Sequence, residues 1–241
     1  MATSAVAVQR PTNPDRIFYP AMCVVVLITV WLGFAKTYYA AGMIHAPLPS
    51  RMVHVHAIAF TLWLLTLVVQ TALVSVRKVK LHMAVGLWGF GLAAAMVALG
   101  LIAARGSLRR NFSPPNSGLS ALTFFVVPFT DIVVFALLAG WSYAVRRKPQ
   151  EHKRLIMIAT IVLLDAAIAR FQFTITPMGP LALTIIFFSF LLVIVLYDIA
   201  TLKRVHRVTW VSSLIVVVMT LTRIPLGQTA AWQHFAGMIA K

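Results

Sequence analysis

The sequence predicts an all-α polytopic membrane bundle of about seven transmembrane helices, and three observations support this. Of the 241 residues, 61% are hydrophobic and only 11% are charged, which is more apolar surface than one water-soluble core can bury. Apolar stretches of roughly 20 residues recur along the chain, each long enough to cross a hydrocarbon layer of roughly 30 Å. Basic residues collect in the short segments between these stretches. Lipid is therefore the predicted solvent of most of the chain.

The apolar stretches divide the chain into a short tail, a membrane domain and a terminal segment. The predicted spans cover 17–39, 52–76, 82–104, 119–145, 152–173, 180–200 and 208–224. Residues 1–16 are predicted to form a cytoplasmic tail, because they lack the short apolar core and cleavage site of a signal peptide. Residues 17–225 form the seven-span domain, and 226–241 form an outer interfacial segment with apolar residues at helical spacing.

The distribution of charge predicts orientation and partners. A formal charge of +16 would suggest nucleic acid binding in a soluble protein, but here the cations are explained by loops that meet anionic lipid. The predicted partner is thus the lipid bilayer, with no nucleic acid. Most loop cations lie on the side of the N-terminus. This predicts a bacterial inner membrane protein with its N-terminus inside and its C-terminus outside.

A weak internal repeat predicts a four-helix core. Spans two and three are joined by a basic loop, RKVK, and spans four and five by another, RRKPQEHKR. In each pair a histidine, His82 or His152, opens the second helix. Two such hairpins would make a four-helix core of spans two to five, with the other spans around it.

Charged residues within the spans are the first set of candidate functional residues. A charge at the centre of a membrane helix costs about 2.5 to 3.5 kcal/mol, so Asp131 and Asp165 point to function. Counted from the loop that joins their helices, the two lie at equal depth. Arg170 is five residues beyond Asp165 and about 140° around the helix, so Asp131 or a residue of another span is its expected partner. His56 completes this candidate proton or substrate pocket.

Other polar residues fall near the same outer ends of their spans and are expected to border the pocket. These are Lys36, His54, Gln172 and Arg223. The competing interpretation is that the whole set consists of structural ion pairs and hydrogen bonds between helices.

The histidines at the inner end are the second set. Imidazoles from adjacent helices can hold a haem iron, and the matching positions of His82 and His152 make them the candidate axial pair. Together with Asp198 and His206 they would form a weaker candidate metal site. No compact ligand motif such as HExxH is present, so His82 and His152 are equally well explained as residues that open helices beside basic loops. For His45, His206 and His234 such an interfacial role is the favoured interpretation.

Two resemblances rest on the residues above. The blocks HVHAIAFTLWLLTLVVQTALV, VPFTDIVVFALLAGWSYAVRRKPQEHKRLIMIATIVLLDAAIAR and YDIATLKRVH resemble an uncharacterised group of bacterial multi-pass membrane proteins. That resemblance implies the fold and singles out residues without giving them roles; they are His56, Asp131, His152, Arg170 and Asp198. More loosely, histidines at the ends of a four-helix core are similar to the two-haem, b-type membrane cytochromes, which implies haem b as cofactor. Only one bis-histidine pair is present, so at most one haem is expected.

The sequence leaves several functions open. The first is haem-binding or quinone-linked electron transfer through His82 and His152. The second is a proton-coupled transporter of a small molecule that uses Asp131, Asp165 and Arg170. The third is a membrane metalloenzyme, and a structural or assembly role within a larger membrane complex is the fourth. Because no residue set forms a recognised catalytic signature, the sequence does not decide whether the protein is an enzyme.

Overall fold

The structure is a computed structural model that describes residues 14–40, 51–115 and 117–241. His45 and residues 1–13 of the predicted tail lie outside these ranges. The described part of the chain is helical and contains no strand. This confirms the all-α bundle.

The helices follow the order of the predicted spans. In the first half they are α1 Asp15–Phe34, which continues as a π-helical turn Ala35–Tyr39, α2 Arg51–Ser75, α3 Val79–Arg109, α4 Ala121–Phe124 and α5 Val126–Ala144. In the second half they are α6 Pro149–Val162, α7 Asp165–Ile168, α8 Phe171–Thr174, α9 Pro180–Leu202, α10 Arg207–Gln228 and α11 Ala230–Ala240.

Six of the seven predicted spans are long apolar helices of the described residues, which makes this an integral membrane protein. Their bounds are Asp15–Tyr39, Arg51–Ser75, Val79–Arg109, Ala121–Ala144, Pro180–Leu202 and Arg207–Gln228. The fourth contains a small break at Phe125, where Pro128 has no N–H to donate to the carbonyl of Phe124.

The fifth predicted span is wrong as a single helix. The structure divides it into α6, α7 and α8. At the first break the amides of Leu163 and Leu164 bond to the carbonyls of Thr160 and Ile161, three residues back instead of four. A second tight turn brings the amide of Arg170 to the carbonyl of Ala167. Such 3₁₀ turns keep the backbone bonded while they redirect the chain, which a sequence pattern of apolar residues does not reveal.

Helix α6 lies at the centre of the bundle. Leu155, Ile158, Ala159 and Ile161 are completely buried. The expected four-helix core is present, because α2 packs on α3, α3 on α5 and α5 on α6. The indole N–H of Trp63 in α2 donates to Thr160 Oγ1 of α6 at 3.2 Å and closes the ring. Helix α10 adds to this core by packing against both α5 and α6.

Other helices turn large apolar faces outward. On α9, Leu181, Ile185 and Leu192 are more than half exposed, as lipid contact requires. The terminal segment forms α11, and Trp232 and Ala236 pack on Phe125 and Val126 in a second apolar cluster. Arg105 and Arg109 of α3 donate to the carbonyls of Ile239 and Lys241 at the end of α11. Apolar packing and two arginine hydrogen bonds thus hold the segment 226–241 against the bundle.

A glycine permits a close approach between the backbones of two segments of the bundle. A Cβ atom on Gly33 would lie only 2.4 Å from the backbone oxygen of Ala167. Helix α1 therefore rests directly on the backbone of α7, just after the first break in the fifth segment.

We predict that Gly33→Ala lowers the thermal unfolding temperature of the protein purified in detergent. The added methyl group meets backbone, which cannot rotate away, and overpacking of this kind costs about 1 to 3 kcal/mol. Gly140→Ala is the matched control, because nothing lies within 4 Å of its Cβ position. Equal unfolding temperatures for Gly33→Ala and the unchanged protein would contradict the close contact.

Candidate functional site

For clarity we call the end of the bundle with loops 76–78, 145–148 and 203–206 the basic end, and the opposite end the far end. The predicted residues divide between the two ends as the sequence indicates. His82, His152, Asp198 and His206 belong to the basic end. Asp131, Asp165 and Arg170 belong to the far half, and so does His56 near the start of α2.

At the basic end the structure brings His82 and His152 together. Each is the fourth residue of its helix, α3 or α6, and each amide bonds to a lysine carbonyl, that of Lys78 or Lys148. The two imidazole rings have centroids 6.4 Å apart and lie at 74° to each other. Both side chains are half-buried. The hairpin pattern thus places two imidazoles face to edge between helices.

Ser142 on α5 holds the ring of His152 in place. Nδ1 of His152 lies 2.8 Å from Ser142 Oγ and 3.1 Å from the Ser142 carbonyl oxygen. Because a carbonyl oxygen only accepts hydrogen bonds, the second contact assigns the proton to Nδ1. Nε2 of His152 then carries the lone pair that a metal or a donor group would use.

Gln70 of α2 completes the basic-end site and was missed as a site residue by sequence reasoning. Within the described residues, neither its amide nitrogen nor its amide oxygen has a hydrogen-bond partner, and the same is true of His82 Nδ1. The Gln70 amide lies over Gly86, one turn after His82. Unpaired buried polar atoms are costly, so their presence together beside two imidazoles favours a ligand.

Asp198 and His206 do not join the histidine pair. Asp198 is fully buried and accepts hydrogen bonds from Arg154, from Thr209 Oγ1 at 2.6 Å and from the His206 amide at 3.1 Å. Nδ1 of His206 accepts a hydrogen bond from the backbone N–H of Val208 and so caps the N-terminus of α10. Burial, followed by the positive charge of Arg154, lowers the pKa of His206, which keeps that nitrogen neutral.

The arrangement gives Asp198 a structural role instead of the predicted place in a metal site. Among the residues that the structure describes, no group of three or more His, Cys, Asp or Glu side chains could hold a metal ion. Arg154 was also missed, because its position in the loop RRKPQEHKR made it look like one more lipid-facing cation. It is 1% exposed and joins α6 to α9.

In the far half the structure brings Asp131 and Asp165 to one cation, but that cation is not Arg170. Arg223 of α10 donates from one nitrogen to Asp131 at 3.2 Å and from another to Asp165 at 3.1 Å. Of the two partners expected for Arg170, Asp131 is therefore not the one, whereas a residue of another span, Phe34, does contact it. Arg170 bonds to the carbonyl of Ala166, and its guanidinium lies 4.4 Å from the ring centre of Phe34 on α1.

The reason lies in the breaks of the fifth segment. They rotate α7 and α8 away from the course of a regular helix, so distances counted along a regular helix no longer apply. Arg223 enters from α10, whose packing against α5 and α6 no sequence pattern indicates. The predicted meeting of Asp131 and Asp165 in one site nevertheless holds.

Other residues expected at the far end make contacts of their own. His56 stacks on Phe60 with ring centroids 4.1 Å apart. His54 Nδ1 lies 3.0 Å from Tyr38 Oη, and Gln172 bonds to the carbonyl of Ala169. His56 is thus not brought to Asp131 by any hydrogen bond of the described residues.

A small cavity lies beside Asp131 and Arg223. Its volume is about 10 Å³, enough for about one water molecule. Thr130, Val134, Val162, Val216, Met219 and Thr220 complete its walls. The site is therefore polar and accessible to single waters, but too small for an organic substrate in this conformation.

The chain matches no protein-family model, no curated protein and no solved structure. Both resemblances, to an uncharacterised membrane group and to b-type cytochromes, accordingly stay predictions. The chemistry of the two sites is what bears on function.

We predict that Arg154→Met destabilises the protein by about 3 to 5 kcal/mol, because it leaves the buried Asp198 carboxylate without its cation. Adding Asp198→Asn should recover part of this loss, since the amide still accepts the His206 N–H without carrying a charge. The free energies of unfolding are measured by denaturation in mixed micelles.

The pair of Lys148 and Glu151 supplies the control for this cycle. It lies on the surface at 3.3 Å, with Lys148 67% exposed. Lys148→Met should cost no more than about 1 kcal/mol. If Arg154→Met were as mild as Lys148→Met, the buried pair would not hold α6 to α9.

Proposed function

We propose that this membrane protein is an electron-transfer protein that binds a haem b at its basic end, with His82 and His152 as the two ligands. The observation that carries the proposal is the meeting of two imidazoles from different helices, with ring centroids 6.4 Å apart. Histidine imidazoles are common ligands of haem iron, and His82 and His152 would hold it between α3 and α6.

The surroundings of the pair fit the same role. Histidine ligands are oriented by a hydrogen bond from the second ring nitrogen, often to a backbone carbonyl. His152 makes such a contact through Nδ1 to the carbonyl of Ser142. His82 keeps Nδ1 unpaired within the described part of the chain, so it has a nitrogen to offer. When bound, haem would supply one-electron redox chemistry.

A specific observation also favours a quinone at this end as the second candidate. The unpaired Gln70 amide has N–H donors that suit a quinone carbonyl, and a histidine ring can serve the same end. The proposed function would still be electron transfer in the membrane, with a quinone as the ligand instead of haem b.

Transport is the weaker alternative. It was predicted through Asp131, Asp165 and Arg170, and the shared contact of both carboxylates with one arginine supports a polar site. A cavity of about 10 Å³ leaves no room for a substrate there. We therefore propose no transported molecule. The metalloenzyme and complex-subunit hypotheses gain no observation of their own.

The first test is the absorption spectrum of protein expressed with supplemented haem. A Soret band is expected for the unchanged chain, and it should be lost in His82→Ala and in His152→Ala. His234→Ala should keep the band, because His234 is exposed on α11 away from the pair. Absence of a Soret band in the unchanged protein would exclude the haem proposal. Recovery of a quinone by solvent extraction from the same sample would then favour the second candidate.

The second test concerns the hydrogen bond that orients His152. Ser142→Ala removes the Oγ contact at 2.8 Å and leaves the carbonyl contact, so haem affinity is expected to fall about tenfold. Haem titration of the apoprotein measures this change. Ser189→Ala is the control, since that hydroxyl bonds only within its own helix, to the carbonyl of Ile186. Unchanged haem affinity in Ser142→Ala would show that the Ser142 hydroxyl does not orient His152 for haem binding.

A further inference from the structure

The five carboxylate side chains of this protein do not share its cations equally. The sequence contains five Asp and Glu residues in total, and all of them lie in the described part of the chain. Glu151 pairs with Lys148, Asp15 with Lys153, and Asp198 with Arg154. Asp131 and Asp165 share Arg223 alone. Three carboxylates therefore have a cation each, whereas the last two have one between them.

The shared site is enclosed by helices of the membrane domain. Asp131 comes from α5, Asp165 begins α7 and Arg223 comes from α10. The three side chains are only 18%, 17% and 13% exposed. Each carboxylate accepts a hydrogen bond from a different nitrogen of the guanidinium, so Arg223 bridges the two aspartates.

Within the described part of the chain, no second cation pairs with the site. Among the described residues, Arg223 is the only cation within ion-pair distance of either carboxylate, and no charged residue of α6 faces them. Arg170 lies on the same segment as Asp165 but contacts Ala166 and the Phe34 ring. With both carboxylates ionised, the site would carry a net charge of −1. An uncompensated charge in a membrane interior is strongly disfavoured.

The excess negative charge decides the class of ligand. It disfavours an anion, so Arg223 is not an open anion site. A monovalent cation restores neutrality, and the smallest such cation is a proton on one of the two carboxyl groups that contact the same guanidinium. The neighbouring cavity has room for about one water molecule, which can accept or deliver that proton.

We propose that Asp131, Asp165 and Arg223 form a proton-binding site in the far half of the membrane domain, in which one of the two carboxyl groups holds a proton at neutral pH. Release of the proton leaves two carboxylates on one guanidinium and transfers H⁺ to a water in the cavity. The site is separate from the histidine pair and does not depend on a haem.

Infrared spectroscopy of the purified protein in lipid nanodiscs tests the proposal directly. A protonated carboxyl group has its own C=O stretching band, and one such group per chain is expected at neutral pH. Asp165→Asn should abolish the band, since one carboxylate and one guanidinium are already balanced. Glu151→Gln should retain it, because Glu151 has its own surface lysine.

The measurement on the unchanged protein decides the matter even if Asp165→Asn fails to fold. Absence of the band at neutral pH would overturn the proposal. A band that persists in a folded Asp165→Asn would do so too, because the proton would then belong to another carboxyl group. A band absent in sodium buffer but present after exchange of sodium for a large organic cation would identify the ligand as Na⁺ and also overturn the proposal.

Thermal stability provides a second readout with a defined sign. An unfolded aspartate is ionised above about pH 4, whereas the folded site keeps one proton. The folded protein then binds more protons than the unfolded chain, so its stability falls as the pH rises. Asp165→Asn holds no such proton and should lack this component. The unfolding temperature of the unchanged protein should therefore fall relative to that of Asp165→Asn between about pH 5 and 8, where an unfolded aspartate is already ionised. Parallel curves would count against a bound proton.

Discussion

Enclosure of α6 by the rest of the bundle is the constraint on which the other features of this protein depend. The part of α6 from Arg154 onward is mostly buried, and buried polar side chains must be satisfied by partners from neighbouring helices. Arg154 therefore binds Asp198 on α9, and Thr160 receives the indole N–H of Trp63 on α2. His152 is held by Ser142 on α5. The packing of α6 and the positions of its polar partners are thus parts of one arrangement.

The same constraint explains why the fifth segment breaks instead of running straight. Helix α1 reaches the backbone of α7 through Gly33, and the 3₁₀ turns at Leu163 and Leu164 direct α7 toward that contact. They also place Asp165 opposite Arg223 on α10. Breaks in membrane helices are tolerated where the freed backbone groups are buried in protein and bonded locally, which is the case here. The broken segment therefore makes both the close contact with α1 at Ala167 and the ion pair of Asp165 with Arg223.

The two ends of the protein differ in how their polar groups are satisfied. At the basic end, Asp15 and Asp198 each have a cation and further hydrogen bonds, from Tyr197 in the first case and Thr209 in the second. Within the described residues, the buried atoms left without a partner at this end include the neutral amide of Gln70 and Nδ1 of His82, besides Tyr19 Oη and Nε of Arg16. In the far half it is charge that is unbalanced, because two carboxylates meet one guanidinium. An unsatisfied neutral group favours a ligand with hydrogen-bonding groups, whereas an unbalanced charge favours a proton.

The sequence by itself determined the environment and the membrane helices, because apolar length and the cost of burying charge are properties of each segment alone. It also determined that His82 and His152 occupy matching positions, and counting residues along the hairpins predicted that Asp131 and Asp165 come to one site. Only the tertiary structure decided that Arg223 and not Arg170 binds the carboxylates, that Arg154 turns inward, and that the Gln70 amide has no partner among the described residues. These outcomes depend on the rotation of each helix about its axis and on the breaks in the fifth segment. Both are set by contacts between residues far apart in the chain, which local periodicity does not encode.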